Sequence, residues 1–196
     1  MKEFIIVSDN PGKIKEYQDK LKDYKLIPYK EVLPIEYIEE NEDTFKGNAY
    51  VKADTVFRML KRPCLADDSG LEVQALPNEL GVRSKRFSKE MTDRSNNQLL
   101  LDKLKDQNNR NAQFVTVICL LIPGYEPRYY RGELKGEILK QPRGNQGFGY
   151  DPLFYIKDMD KTLAEMTIEE KNKHSHRAKA IEKLIEDIEN ENIGFF

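Results

Sequence analysis

Pro63-Cys64-Leu65-Ala66-Asp67-Asp68-Ser69-Gly70-Leu71-Glu72-Val73 is the stretch whose reading decides the fold. A short apolar run delivers two adjacent carboxylates, so it reads as a strand ending in acid, with a turn at once through Ser69 and Gly70. Gly70 lets the backbone reverse without a Cβ penalty. A buried strand with such an end belongs to an open α/β sheet, whose ligands gather at the carboxyl rim of the strands. The acids themselves have two readings. Asp and Ser ahead of Gly are ordinary turn formers, because their side chains bond the backbone two residues on. At a sheet rim, however, Asp68 is also placed to hold a divalent metal and to activate a water.

Toward the N-terminus, Phe4-Ile5-Ile6-Val7 is a continuous β-rich run, followed by Ser8-Asp9-Asn10-Pro11-Gly12-Lys13 and then by Ile14, Tyr17 and Leu21 at helical spacing. That is strand, loop, helix. Asn10 suits the N-cap and Pro11 the first helical position. Such a helix start attracts anions through its free N–H groups and its dipole, and Lys13 adds a mobile charge. It is not a Walker loop, because the upstream Gly is missing and Ile14 stands where Ser or Thr would hold magnesium. A capped helix with a solvent lysine is the plainer alternative. Lys25 to Tyr29 predicts a second strand, and a helix is expected from about Thr44 to Leu60, with Ala49, Ala53, Val56 and Phe57 on its apolar face and Lys52 one residue off it. The acidic run Glu36 to Asp43 between them is a solvated loop, or else it folds over the Asp67-Asp68 rim. In the second case Glu39 or Glu40 completes a hard-oxygen site for Mg²⁺, which takes few protein carboxylates and keeps its waters and substrate phosphates.

Toward the C-terminus, Leu71 to Leu76 alternates as a half-exposed strand, and Pro77 to Phe87 is a loop carrying Arg83, Lys85 and Arg86. Thr92 caps a helix through Leu99, Leu100 and Leu104. Phe114 to Ile122 is the most apolar strand and should be central, with Arg128 to Glu137 as its antiparallel partner. In Gly144-Asn145-Gln146-Gly147-Phe148-Gly149-Tyr150-Asp151 three glycines space two aromatics and an acid. Glycine lets a backbone approach a flat ligand, and Phe148 or Tyr150 can stack on a base; alternatively the aromatics of a surface loop tuck into the core. Leu153 to Ile156 reads as a last strand. Thr167-Ile168-Glu169-Glu170 is a capping box, yet the stripe Ala178, Ile181, Leu184, Ile185, Ile188 starts naturally at Ser175. The spacing predicts a helix break near residues 172 to 174, which would let Lys171, His176 and Arg177 converge on one ligand.

Composition limits the function. With 196 residues the chain supports one domain, with room for two lobes. Thirty-two basic against 34 acidic residues argue against a general nucleic-acid binder. The longest apolar run, Val115 to Ile122, is far short of the ~18 residues of a membrane span. The N-terminus is too short in apolar residues for a signal peptide and carries Glu3, so it reads as the first strand of a cytoplasmic protein. Cys64 and Cys119 lie in apolar runs and read as buried free thiols. His174 and His176 lack metal-type spacing, which argues against a histidine–zinc site.

Five motifs in order then match a known pattern: Ser8 to Lys13; Thr44-Phe45 with Asn48-Ala49 and Lys52-Ala53; Ala66 to Leu71; Gly147 to Pro152; and Glu169 to Asn172 with Ser175-His176-Arg177. Across nearly its whole length the chain resembles the inosine triphosphate pyrophosphatase family, which hydrolyses non-canonical purine nucleoside triphosphates. The resemblance implies an elongated α/β protein with a central mixed sheet flanked by helices, two lobes with a cleft between them, and a homodimer. It implies Mg²⁺ as cofactor and Asp68 as general base and metal-linked carboxylate, with Ser69 touching substrate. Ser8, Asp9, Asn10, Pro11, Gly12, Lys13, Lys52 and Lys85 would hold the triphosphate. Phe148, Gly149, Tyr150, Asp151, Lys171, His176 and Arg177 would surround the base. The second metal carboxylate is Glu39 or Glu40, with Glu36 as an outside candidate. Asp9 stands where the family often has Gly, and Pro77-Asn78-Glu79-Leu80-Gly81 replaces a Gly-rich run, which bears on Lys85. A related-fold pyrophosphatase for modified pyrimidines and a non-catalytic nucleotide-binding regulator are the alternatives.

Overall fold

The computed structural model describes residues 2–190. In chain order these form β1 (Lys2–Val7), α1 (Pro11–Lys20), β2 (Tyr24–Pro28), α2 (Phe45–Leu60), β3 (Cys64–Val73), α3 (Asp93–Lys103), β4 (Asn111–Leu121), β5 (Arg128–Ile138), β6 (Phe154–Ile156), β7 (Lys161–Thr162), α4 (Ile168–His174) and α5 (His176–Asn190). The strands make one mixed sheet in the order β2-β1-β3-β4-β5-β6-β7. β1 runs parallel to both β2 and β3, with Ile5 opposite Ile27 on one side and Cys64 on the other. β6 is antiparallel to β5 and to β7.

The helix starts follow from their caps. Asn10 Oδ1 accepts from the amides of Gly12 and Lys13, and Thr44 from that of Gly47. Thr92 and Thr167 close reciprocal capping boxes with Ser95 and Glu170. Each satisfies first-turn donors that have no partner within the helix.

Three expectations are corrected. β3 does not stop at its acids: it runs on through Ser69 and Gly70 to Val73, so the separate strand at Leu71 is its continuation. Strand neighbours on both sides of β3 outweigh the local turn preference of Asp-Asp-Ser-Gly. Gly70 serves close packing instead of reversal, since a Cβ there would stand 2.0 Å from the Gly81 carbonyl oxygen. The strand at Phe154–Ile156 is followed by one more, β7. The helix break comes one residue later than the 172–174 window, at Ser175, whose backbone is extended (φ −65°, ψ 156°).

Residues 2–68, 116–132 and 177–190 form one compact unit, and 69–115 with 133–176 a second. In the first, side chains alternate across the strands. Phe4, Ile6, Leu65, Ile118 and Leu120 pack with Tyr17 of α1 and Ile181 and Leu184 of α5. Ile5, Val7, Cys64, Ala66, Cys119 and Leu121 pack with Ala49, Ala53 and Val56 of α2. Both faces are covered, which is why these strands read as unbroken apolar runs. The second unit is built on Leu71, Leu100, Phe114, Leu134, Phe154 and Leu163. Among the described residues no helix is long and apolar enough to cross a membrane.

Cys64 and Cys119 are free and fully buried. Burial pushes both thiols up to about 12. Because the thiolate is the reactive form, an aromatic disulfide reagent at pH 8 should label neither cysteine in the native protein and both in guanidinium. Rapid labelling of the folded protein would contradict the packing described.

Candidate active site

Neighbouring residues on a strand point to opposite faces of the sheet, and β3 applies this to its two acids. Leu65, two before Asp67, packs with α1 and α5; Ala66, two before Asp68, packs with α2. Asp67 accordingly meets Lys13 of α1, Nζ to Oδ2 2.9 Å, and Arg177 of α5, Nε to Oδ2 3.4 Å. The Thr116 hydroxyl on β4 donates to the same oxygen at 3.2 Å. Arg177 also pairs with Glu16 of α1. Asp68 meets α2, where Asn48 Nδ2 donates to its Oδ2 at 2.9 Å. One turn along α2, Lys52 Nζ donates to the Asp67 carbonyl at 2.6 Å and to Glu40 at 3.0 Å.

These surroundings drive the two carboxyls apart. Burial pushes Asp67 up, but Lys13, Arg177 and Lys52 together outweigh it and hold the carboxyl well below the usual carboxylate range. Burial also pushes Asp68 up, and there it prevails: Lys52, Lys13 and the Asn48 hydrogen bond oppose it, Glu40 assists it, and the net shift is upward. A pair of carboxyls with separated affinities for the proton marks a division of acid–base labour. Asp67 is a fixed counter-ion, and Asp68 is the more basic oxygen.

In the second unit the glycine-rich loop is held at several points. Asp151 Oδ2 accepts from the Phe148 amide at 3.0 Å and from Lys171 Nζ at 2.8 Å. Gly147 has φ +78°, and a Cβ on it would stand 2.1 Å from that same oxygen, so the turn closes on the carboxylate only with glycine. The Lys171 ammonium also lies 4.5 Å from the Phe148 ring centroid. The Gly149 peptide is gripped from both ends of its dipole, its N–H by Asp93 Oδ2 at 2.7 Å and its carbonyl by Asn97 Nδ2 at 2.9 Å. Tyr150 turns into the core, its hydroxyl donating to the Ser84 carbonyl at 2.6 Å. That leaves Phe148 as the half-exposed aromatic of the loop. His176 stacks on Phe114 at 4.9 Å and 12°.

A sequence profile described as the Ham1 family matches residues 4–187. The chain belongs to the Ham1 family. It is 43% identical to the dITP/XTP pyrophosphatase of Bacillus subtilis (strain 168), over 94% of this chain and 96% of the relative. It is 45% identical to the protein of the same name from Desulfotalea psychrophila, over 92% and 82% of the two chains. Among solved structures it is similar to the Ham1 protein of Staphylococcus aureus, with a TM-score of 0.90 at 40% identity, covering 97% of this chain and all of that one. A HAM1 protein from Coxiella burnetii gives 0.86 at 39% identity, over 96% and 99%.

Within this Ham1 fold, residues adjacent in sequence fall in different compact units. Arg177 belongs to the first unit, beside Glu16 and Asp67, whereas Lys171 and His176 belong to the second. The break at Ser175 precedes both residues, and the boundary between the two units falls after His176, in the first turn of α5. The first-turn amides of α1 at Gly12 and Lys13 are taken by Asn10, the cap that Pro11 follows. Ser8 Oγ accepts from the Asn10 amide at 3.2 Å, and Asp9 is engaged by the Tyr29 hydroxyl at 3.1 Å and by Lys30 at 3.0 Å. Ser69 is half-buried. Lys85 is exposed, and it is its backbone carbonyl that Asn96 binds.

The acidic loop now divides. Glu40 reaches Lys52 and is close enough to Asp68 to raise it, whereas Glu39 is exposed and accepts from Asn41 at 2.7 Å, and Glu36 is exposed. Among the described residues no three His, Cys, Asp or Glu side chains gather as a metal cage. Mg²⁺ does not require one, since it is bound through one or two carboxylates plus waters and phosphates. Asp68 and Glu40 are hard-oxygen donors whose charges disfavour each other, and such a pair fits that ion.

Sequence reading missed Glu16, Thr116, Asp93 and Asn97. Glu16 had a signal: it stands three residues after Lys13 and beside Tyr17, so helical spacing puts it at the edge of the buried face. Thr116, as the one hydroxyl inside the most apolar strand, offered another.

Proposed function

We propose that this chain hydrolyses non-canonical purine nucleoside triphosphates, dITP, ITP and XTP, to the nucleoside monophosphate and pyrophosphate, with Asp68 as general base. The class, a nucleoside triphosphate pyrophosphatase, is the one its Ham1 relatives are named for. The observation that carries the chemistry is the opposed placement of Asp67 and Asp68, one neutralised by Lys13 and Arg177, the other raised.

Asp68 accepts the proton of the attacking water, and its raised affinity suits that task, because a base works best as its pKa approaches the working pH. Asp68 and Glu40 would hold Mg²⁺, which when bound would supply polarisation of the phosphates and offset the charge developing on them. Lys13 and Lys52 bring ammonium charge to the same groups; each ammonium has three N–H donors, so their bonds to Asp67 and Glu40 leave directions for phosphate oxygens. The resemblance implies that Ser8, Asn10 and Ser69 contact the substrate. The attack falls on the α-phosphorus and pyrophosphate leaves. Phosphoryl transfer calls for positioning and charge neutralisation more than covalent help.

Lys171 and His176 read the purine, with Phe148 stacking on it and Asp151 orienting Lys171. Donors aimed at O6 accept hypoxanthine and xanthine and meet adenine's amino group as a misfit, which gives large discrimination. The resemblance further implies a homodimer, which sedimentation equilibrium checks, and the N-terminal sequence reads as that of a cytoplasmic protein.

The test is a panel of dITP, XTP, GTP, ATP, CTP and dUTP with Mg²⁺, measuring pyrophosphate and orthophosphate separately. dITP and XTP are expected to be turned over fastest with pyrophosphate as product. Orthophosphate release, or preference for ATP or a pyrimidine, would overturn the reading.

A further inference from the structure

Asn48 lies on α2 with no exposure to solvent, in a helix position where leucine or alanine would pack without a polar cost. Its amide is used at both ends: Nδ2 donates to Asp68 Oδ2 at 2.9 Å, and Oδ1 accepts the backbone N–H of Glu42 at 3.0 Å. The first contact fixes the carboxylate on β3. The second fixes the acidic loop two residues after Glu40. The loop is also buttressed where Glu42 crosses Gly47, whose missing Cβ would stand 2.8 Å from Glu42 Cβ. We propose that Asn48 is a positioning residue that sets Asp68 and the Glu40 loop relative to each other, so that both carboxylates are presented in one fixed geometry. The inference rests on the reading of Asp68 as the base.

The side-chain chemistry makes the choice specific. A primary amide offers a donor and an acceptor from one small planar group. Aspartate at this position has no donor for Asp68 and adds a third negative charge beside Glu40; leucine satisfies neither contact and leaves the Glu42 amide without its acceptor. Glutamine carries the same group one methylene further and cannot meet both partners from the same Cα. Outer partners that hold a ligating carboxylate cost about 10- to 100-fold in metal affinity or activity when removed.

The test compares Asn48→Ala, Asn48→Gln and Asn48→Asp with Asp68→Asn and with the double variant Asn48→Ala/Asp68→Asn. Asn48→Ala and Asn48→Gln are expected to lower kcat about 10- to 100-fold with KM for dITP changed less than threefold, and Asn48→Asp to lower it more. In the Asp68→Asn background, Asn48→Ala should cost less than twofold, because residues acting as a unit are not additive. A readout free of turnover accompanies this: hydrogen exchange at the Glu42 amide should speed up at least tenfold in Asn48→Ala while amides in β1 and β4 stay protected. If Asn48→Ala keeps wild-type kcat, or costs the same factor with and without Asp68, or leaves Glu42 protected, the inference fails. If β1 and β4 lose protection as well, Asn48 holds up the fold as a whole and the inference fails in that way too. Full activity in Asp68→Asn alone instead sinks the underlying reading of the base.

Discussion

Asp68→Asn is expected to lower kcat by about 100- to 10,000-fold, the contribution of a positioned general base, while the unfolding midpoint stays near the wild-type value. The geometry explains why activity and stability part company here. Asp68 is buried and its charged form is disfavoured, so replacing the carboxylate by a neutral isostere removes a charge that burial resists. The new amide still presents an oxygen to Asn48 Nδ2. Asp67→Asn is the contrasting case. That charge is stabilised by Lys13 and Arg177, both largely buried, and its loss leaves two cations facing each other across a neutral group. Activity assays with thermal melts of both variants make the comparison. Equal stability loss in the two, or near-normal turnover in Asp68→Asn, would contradict the division of labour between adjacent residues.

The second large effect is on stability. Arg177→Met should destabilise the protein by about 3–5 kcal/mol, the range for removing one partner of a buried ionic network. In a chain of this size that lowers Tm by roughly 6–20 °C. Arg177 is 1% exposed and answers two carboxylates, Glu16 and Asp67, themselves 8% and 1% exposed. Methionine fills much of the same volume, so what is lost is the guanidinium and not the packing. The pH dependence has a definite sign. Asp67 is held below its unfolded value, so its contribution is present above that value, about 3.9, and is lost as the pH falls through the folded one. The gap between wild type and Arg177→Met is therefore full at neutral pH and narrows only below about pH 3.9. Arg177→Lys, which keeps the charge without the planar fork, should fall between. A variant with wild-type Tm would show that the network is not what anchors α5 to β3.

How much of this was legible in the residues depends on whether the signal was local. The apolar runs at Phe4 to Val7 and Val115 to Ile122 and the caps Asn10, Thr92 and Thr167 act within a few residues, and the elements they predict are there. Asp-Asp-Ser-Gly was read locally as well, and there the local signal lost: sheet neighbours carry β3 straight through it. Two acids in a turn can face the same way, whereas two acids in a continuous strand cannot, and the opposite electrostatics of Asp67 and Asp68 follow from that period of two. Arg177 and its neighbour in sequence, His176, fall in different compact units, a boundary that no local signal marks. Glu40 and Glu39 were indistinguishable in an irregular acidic run because no periodicity orders such a loop. Lys52 on α2 is what singles out Glu40.

The account turns on a water activated at Asp68 attacking the α-phosphorus, and isotope placement reads that step directly. Hydrolysis of dITP in ¹⁸O-water, followed by mass spectrometry of both products, should put the label in the nucleoside monophosphate and leave the pyrophosphate unlabelled. Label in pyrophosphate or in orthophosphate would contradict it.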